Sequence, residues 1–83
     1  MNTIDRVRVG ATVRLVEPDP SLEASLREHL AAFGLLPGHP VTVVAQRPMT
    51  IVLCDHVELA LEAAVAAKLR VTTPAAQSRP PRA

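Results

Sequence analysis

Residues 33–44 constrain the fold more than any other stretch of the chain, because they hold two of its three glycines and two of its eight prolines. Gly34 follows a segment with helical apolar periodicity, and the left-handed backbone just past a helix favours glycine. Pro37-Gly38 is typical of a type II turn, since proline presets φ and glycine accepts the positive φ of the third position. Pro40 begins a β-branched run, where its missing N–H is tolerated. The stretch therefore predicts a helix end, a tight turn and a strand start, and no chemistry.

The residues before this stretch predict a strand followed by a helix. Residues 12–16 alternate apolar and polar side chains, which is typical of a half-buried strand. Asp19 followed by Pro20 is typical of a helix N-cap with proline in the first turn, so we predict a helix over residues 20–33. Its apolar stripe follows the 3.6-residue period and is expected to pack against the sheet: Leu22, Leu26, Leu30 and Phe33.

The residues after it predict two more strands, at 41–46 and 50–54, and then allow two interpretations. Propensity favours a helix over residues 55–69, which are rich in Ala, Leu and Glu. The alternation of apolar side chains at residues 57–61 favours a strand instead, entered through a two-residue turn. In that interpretation a helical turn over residues 63–68 precedes a last strand.

The central stretch also resembles a known family. Its order apolar-Gly-Leu-Leu-Pro-Gly-x-x-Val-x-Val, with Gly34, Pro37 and Gly38 as the structural positions, is similar to the hallmark of FeoA-type domains. These are small SH3-like modules associated with bacterial ferrous iron uptake. Further similarity lies on both sides and brings the coverage to about residues 3–72: residues 4–10, residues 13–15, residues 59–61, Ala66 and residues 69–71. The connection over residues 47–50 is shorter than the glycine-bearing hairpin of many relatives.

The resemblance implies a mainly β fold, namely a small SH3-like barrel of about five strands. One α-helix follows the first strand, and a short helical turn precedes the last. It also favours the strand interpretation of residues 57–61, as does the marginal stability of an isolated hairpin in water. We expect one domain over residues 1–72. Residues 73–83 hold three prolines, two arginines and no large apolar side chain, and we expect a disordered tail there.

Composition and charge exclude several classes of function. Nine Lys and Arg against eight Asp and Glu give a formal net charge of +1, which leaves no electrostatic footprint for nucleic acid. Phe33 is the sole aromatic residue, so bases have no stacking platform. We see no signal peptide and no apolar run approaching the roughly 20 residues of a spanning helix. The expectation is a cytoplasmic protein that inserts into no membrane and binds no nucleic acid.

Reactive side chains are few. Cys54 cannot form an internal disulfide because it is the single cysteine, and its apolar neighbours predict an inert thiol. On a continuous strand Cys54 and His56 would point the same way, so they are weak candidates for metal ligands. A metal site needs three or four converging ligands. Among the other candidates Asp55 and Glu58 are also close in sequence, whereas His29 and His39 lie on opposite sides of the central turn. We therefore expect no cofactor, no stable metal site and no enzyme activity.

Protein binding remains the expected activity, and two surfaces are candidates. Leu35, Leu36 and Pro37 form an apolar tip at the helix–strand junction, unless both leucines close the barrel instead. The second candidate is the connecting loop, which contains Arg47, Pro48 and Met49.

The resemblance implies a cytoplasmic accessory protein that docks on a FeoB-type ferrous iron transporter, a membrane GTPase. Two alternatives remain. One is a module related to the SH3-like domain of DtxR-type iron-dependent regulators. The other is a weak transition-metal-binding protein that uses Cys54 and His56. Exposed edge strands also allow a homo-oligomer.

Overall fold

The computed structural model describes residues 2–72, which form one antiparallel sheet around an aliphatic core. The strands are β1 (Asn2–Thr3), β2 (Thr12–Pro18), β3 (Pro40–Ala45), β4 (Thr50–Cys54), β5 (Val57–Leu61) and β6 (Leu69–Val71). The helices are α1 (Ala24–Ala32), α2 (Ala63–Ala66) and a 3-10 helix (Ile4–Arg6). The predicted class, mainly β with one α-helix after the first strand and a short helical turn before the last, is confirmed; the first predicted strand is β2, and the short β1 precedes it.

The sheet curls but does not close. Its strand order is β1-β6-β2-β3-β4-β5, so β1 and β5 are the two edges among the described residues. The sixth strand, absent from the prediction of about five, is the two-residue β1, which pairs with β6. A register shift interrupts the pairing of β3 with β4 between Val43 and Ala45, and another interrupts β2 with β6. Such bulges increase local twist and thereby help the sheet to curl.

The core is filled by aliphatic side chains from the sheet, the 3-10 helix and α1. Eight large side chains are the most deeply buried: Ile4, Leu69, Val7, Val13, Val41, Val43, Val52 and Val71. Within residues 2–72, no buried side-chain nitrogen or oxygen lacks a hydrogen-bond partner. Burial of aliphatic area is therefore the main stabilising term.

The start of α1 differs from the prediction. The helix begins at Ala24 with Glu23 as its N-cap, and the Asp19-Pro20 pair does not cap it. The Asp19 Oδ1 atom instead accepts a hydrogen bond from the backbone N–H of Ser21 (2.8 Å), and the Leu22 N–H donates to the Asp19 carbonyl (3.0 Å). Asp19 thus forms an Asx turn, a local structure that competes with the helix start.

The apolar stripe of α1 is only partly buried. Leu22 and Leu30 lie in the core, Leu26 packs against it, and Phe33 remains 38% exposed. Phe33 is the C-cap residue and has left the helical backbone. Its ring contacts the His29 imidazole edge-on, with 5.2 Å between the centroids. The expectation that the whole stripe packs against the sheet is therefore wrong at its last member.

The end of α1 is the Schellman arrangement that Gly34 predicts. Gly34 has φ +104°; its N–H donates to the Ala31 carbonyl, and the Leu35 N–H donates to the Leu30 carbonyl. Leu30 and Leu35 are both buried, which is the apolar contact that accompanies this motif. The predicted turn follows at Pro37-Gly38: Gly38 has φ +87°, and the turn is closed by a bond from the His39 N–H to the Leu36 carbonyl.

Residues 57–61 are a strand, as the resemblance implied and propensity did not. β5 pairs with β4 along its whole length through the two-residue turn Asp55-His56. Asp55 has φ +57° and His56 does not have a positive φ, which matches the pattern of a type II′ hairpin. The short helix α2 and the last strand β6 also lie where they were predicted, within two residues at each end. The tail at residues 73–83 lies outside the described residues.

Candidate docking surfaces

The junction tip consists of Leu36 and Pro37, because Leu35 belongs to the core. Leu35 is 4% exposed and Leu36 is 38% exposed, so the two leucines have opposite fates. The interpretation that both close the barrel therefore holds for Leu35 alone. The tip borders an open groove of about 350 Å³ against α1, lined by Pro18, Ala24, Arg27, Glu28, Ala31, Leu35, Leu36 and Pro37. Whether a partner binds there stays a prediction.

The second predicted surface, the β3–β4 loop, lies beside the N-terminal segment. Arg47 and Pro48 are exposed and Met49 is half-buried. The side-chain amide of Gln46 donates to the carbonyls of Ile4 (3.0 Å) and Val7 (2.7 Å) and so joins the two segments.

The Gln46 side chain is itself held in place, because its Oε1 accepts a hydrogen bond from the Thr50 hydroxyl (2.6 Å). This arrangement places the N-terminal segment beside the loop. We call four exposed side chains of the two segments the basic rim: Arg6, Arg8, Val9 and Arg47. No sequence pattern indicates this rim, because Arg47 is about 40 residues from the other three members.

A third surface, which the sequence analysis missed, is the groove between α1 and β5. It has a volume of about 330 Å³ and is mostly apolar. We call it the edge groove, and it is lined by Leu26, His29, Leu30, Phe33, Leu59, Ala60, Leu61, Glu62 and Val65. The exposed Phe33 ring lies at one wall. No local sequence signal indicates it, because Phe33 and Leu59 are 26 residues apart in the chain.

Cys54 and His56 do not share a strand face. β4 ends at Cys54, and His56 lies in the turn that follows, so the premise for pairing them as ligands does not hold. Cys54 is 2% exposed whereas His56 is exposed. Burial, and secondarily the Asp55 carboxylate, raises the pKa of the Cys54 thiol, which disfavours the thiolate that binds metals or attacks substrates. Over residues 2–72 no three His, Cys, Asp or Glu side chains are placed to hold one metal ion.

Gly34 lies beside Cys54, at the end of β4. A Cβ atom added at Gly34 would lie 3.4 Å from the Cys54 Cβ, which is a van der Waals contact. The positive φ of residue 34, rather than this contact, favours glycine there.

No helix in the described part of the chain is both long and apolar enough to cross a membrane. The longest, α1, has nine residues. The fold consists of curved antiparallel strands with one long inserted helix.

Solved structures share this fold. FeoA from Chlorobium tepidum superposes with a TM-score of 0.76 at 19% identity, over 84% of this chain and 68% of that one. FeoA from Stenotrophomonas maltophilia, complexed with zinc and described as a procaryotic SH3 domain protein, gives a TM-score of 0.73 at 19% identity over 94% of both chains. IdeR from T. acidophilum gives 0.76 at 21% identity, over 86% of this chain but 33% of that chain. The predicted SH3-like fold is thereby confirmed.

Sequence comparison identifies the family. No curated protein matches the chain at a significant level. A family model for the FeoA domain, however, matches residues 2–73, which is most of the chain and coincides with the described fold. The protein therefore belongs to the FeoA domain family, a family of small accessory domains associated with ferrous iron transport.

Proposed function

We propose that the protein is a cytoplasmic accessory component of ferrous iron transport that acts by docking on a FeoB-type membrane GTPase transporter. The observation that carries this proposal is the FeoA match over residues 2–73. On this proposal the protein affects transport through binding and performs no reaction of its own. The partner's identity is what the family resemblance implies.

The distribution of exposed and buried groups supports binding over chemistry. The sole thiol, that of Cys54, is buried, and its raised pKa disfavours the reactive thiolate form. Apolar side chains are exposed at several loops and element ends, among them Val9 (55%), Phe33 (38%) and Leu36 (38%). Phe33 and Leu36 each line a groove, and apolar side chains that line grooves are typical of contact sites.

The test is co-purification with the transporter encoded in the same genome. The tagged chain is expressed in iron-starved cells, membranes are solubilised in mild detergent, and the transporter is quantified by mass spectrometry. We expect enrichment over a tagged unrelated protein of similar size. Recovery of the transporter at the level of that control contradicts the proposal.

Variants then locate the surface. Leu36→Ser tests the junction tip, and Arg47→Ser tests the β3–β4 loop. Glu17→Ser is a suitable control, because Glu17 is exposed on β2, a strand with neighbours on both sides. If the partner docks at the junction tip or at the loop, the corresponding variant lowers recovery and the control leaves it unchanged.

A second candidate rests on the likeness to IdeR, of which this fold covers 33% of the chain. On this alternative the protein is a stand-alone module related to the SH3-like domain of DtxR-type regulators, and it binds a regulator instead of a transporter. The same purification separates the two candidates. Enrichment of a helix-turn-helix regulator without the transporter favours the alternative.

A further inference from the structure

The β5 strand presents an open edge. Among residues 2–72 it is the last strand in the sheet order and pairs with β4 alone. None of the backbone hydrogen bonds formed by loops and caps in the described residues reaches residues 57–61. β5 contains no proline or glycine, and all five of its residues pair with β4 in continuous register. A regular edge strand whose outer side is unpaired is a template for pairing with another strand.

The register identifies the backbone groups that face outward. The pair Cys54–Val57 closes a two-residue turn, and the closing pair of such a turn is hydrogen-bonded. Since hydrogen-bonded and non-hydrogen-bonded pairs alternate, Val57, Leu59 and Leu61 bond to β4. The N–H and C=O groups of Glu58 and Ala60 are left pointing to the open edge, and both residues are exposed.

The edge groove provides the side-chain contacts that such pairing needs. It runs along the core face of β5, where Leu59 and Leu61 form one wall and α1 forms the other. Apolar side chains that alternate along an added strand would enter it from the edge, next to Phe33. Main-chain bonds beside a groove for alternate side chains are the two components of recognition by strand addition.

The negative charge around β5 favours a basic partner strand. Residues 48–67 contain three carboxylates and no lysine or arginine: Asp55, Glu58 and Glu62. Glu58 lies on the outer face of β5, and Glu62 lines the groove, where His29 is the other titratable side chain. A second copy of the chain would bring the same carboxylates to the edge, and like charges facing each other across strands are destabilising. A basic partner strand is favoured by the same rule.

We propose that the open edge of β5 and the edge groove bind an extended segment of a partner protein, whose alternate side chains are apolar and basic. The segment adds as a seventh strand beside Glu58 and Ala60. Its apolar side chains enter the groove, and its lysine or arginine side chains lie on the outer face beside Glu58. This inference rests on the proposed function only for the protein that supplies the segment, which is then the transporter.

The first test uses two synthetic peptides as probes, acetyl-GKVRLKVG-amide and its acidic counterpart acetyl-GEVELEVG-amide, with the full chain at low salt. NMR titration is expected to shift the amide signals of Glu58 and Ala60 and the methyl signals of Leu26 and Leu59 with the basic peptide. We expect the basic peptide to bind about fivefold more tightly, because an opposite-charge cross-strand pair with Glu58 contributes up to about fivefold. Equal affinity, no binding by either peptide, or shifts confined to Leu36 or to the basic rim overturns the proposal.

Two variants sharpen this test. Glu58→Lys changes an exposed side chain and is expected to weaken the basic peptide about fivefold, whereas Glu17→Lys on the doubly paired β2 leaves it unchanged. Ala60→Pro removes the outward N–H and is expected to abolish binding; its fold is checked by circular dichroism, and Glu58→Lys carries the test if it unfolds. Unchanged affinity in Glu58→Lys overturns the proposal.

The second test separates this inference from the proposed function. Wild type, Glu58→Lys and Glu17→Lys are compared in the transporter co-purification. Loss of the transporter with Glu58→Lys alone supports strand addition. If wild type and Glu58→Lys recover the transporter equally, the proposed function stands and the strand-addition site is wrong. If wild type recovers none while the basic peptide binds as expected, the site stands and the proposed partner is wrong.

Discussion

The two edges of the sheet are finished in opposite ways. At the first edge, β1 has two residues and leads directly into the 3-10 helix, whose Ile4 is fully buried. The Gln46 side chain ties this segment to the β3–β4 loop through two hydrogen bonds. At the other edge, β5 has five residues in regular pairing, an exposed Val57 and the edge groove beside it.

The β1 edge is protected against pairing with another strand, and the β5 edge is much less so. A short strand and a covering turn are common ways to prevent edge-to-edge pairing, and the β1 edge has both. The β5 edge has only carboxylates, which repel a second copy but not a basic strand. An edge that repels a second copy of the chain, but not a basic strand, is suited to binding a different protein.

The largest expected effect separates the two edges by stability. Ile4→Ala should lower the free energy of unfolding by about 2–5 kcal/mol, because a large side chain is removed from a closed site. Val57→Ala, at 39% exposure, should cost less than about 1 kcal/mol. Urea denaturation followed by far-UV circular dichroism measures both. Similar costs at the two positions would mean that the β5 edge is covered after all.

The next effect concerns the Gln46 amide, which holds the N-terminal segment at the β1 edge in place. Gln46→Leu leaves the carbonyls of Ile4 and Val7 and the Thr50 hydroxyl without this partner, at a cost of about 1–3 kcal/mol. A loss below a few tenths of a kcal/mol would show that the N-terminal segment is held by packing alone. The exposed variant His39→Ala serves as the control and should be neutral.

Gln46→Glu adds a pH signature to the same contact. A carboxylate facing two carbonyl oxygens is disfavoured, so the folded-state pKa of this Glu is raised above its unfolded value of about 4.3. The stabilisation is then fully present below the unfolded pKa and is lost as the pH rises through the folded pKa. Relative to wild type, the variant should be more stable at pH 4 than at pH 7. A difference of the opposite sign would place the side chain outside the contact.

The reactivity of Cys54 shows whether β5, the open edge strand, detaches transiently from β4. It lies at the end of β4, beside the first residue of β5, and burial raises the pKa of its thiol. Native protein should therefore react with a disulfide reagent at least about 100-fold more slowly than unfolded protein. Asp55→Asn removes the smaller cause of the raised pKa and should leave the reaction slow. Fast labelling of the native protein would indicate that β5 frays from β4.

Metal titration of the same thiol tests the metal-binding alternative. Equimolar Fe(II) or Zn(II), added without oxygen, should leave the reactivity of Cys54 unchanged, because the thiol is buried and His56 lies in the adjacent turn. His56→Ala is the matched variant. Protection of Cys54 by metal in wild type but not in His56→Ala would establish a site that uses both residues.

The smallest effect concerns the Asx turn before α1, the helix that forms the wall of the edge groove. Hydrogen bonds from Ser21, the backbone N–H above all, lower the pKa of Asp19. A lowered folded pKa means that the stabilisation is present above the unfolded value and is lost as the pH falls through the folded pKa. Asp19→Ala should therefore cost more at pH 7 than at pH 3, and Asp19→Asn should cost less than Asp19→Ala at pH 7. Equal costs of Asp19→Ala at both pH values would contradict the turn.

Local signals predicted local structure well. Gly34 and Gly38 adopt the positive φ values that their neighbours demanded, because a helix end and a tight turn are decided within a few residues. The strand at residues 57–61 shows the limit of this approach. Its composition favours a helix, and only pairing with β4 and the packing of Leu61 override that propensity. The family resemblance supplied what propensity could not.

The start of α1 and the surfaces depend on contacts that the sequence does not display. Asp19 satisfies the same donors in an Asx turn as in a helix cap, so the pattern cannot distinguish them. Leu35 and Leu36 are neighbours in sequence, and only the Schellman motif decides that Leu35 is buried. The edge groove requires Phe33 and Leu59 to approach each other from segments 26 residues apart, which no local pattern indicates.

Amide hydrogen exchange along β5, with and without the purified transporter in detergent, tests the central claim most directly. Free protein should exchange the amides of Glu58 and Ala60 faster than those of Leu59 and Leu61, which bond to β4. Bound protein should protect Glu58 and Ala60 strongly. Unchanged exchange over residues 57–61 on binding, with protection confined to Leu36 or to the basic rim, would contradict the account.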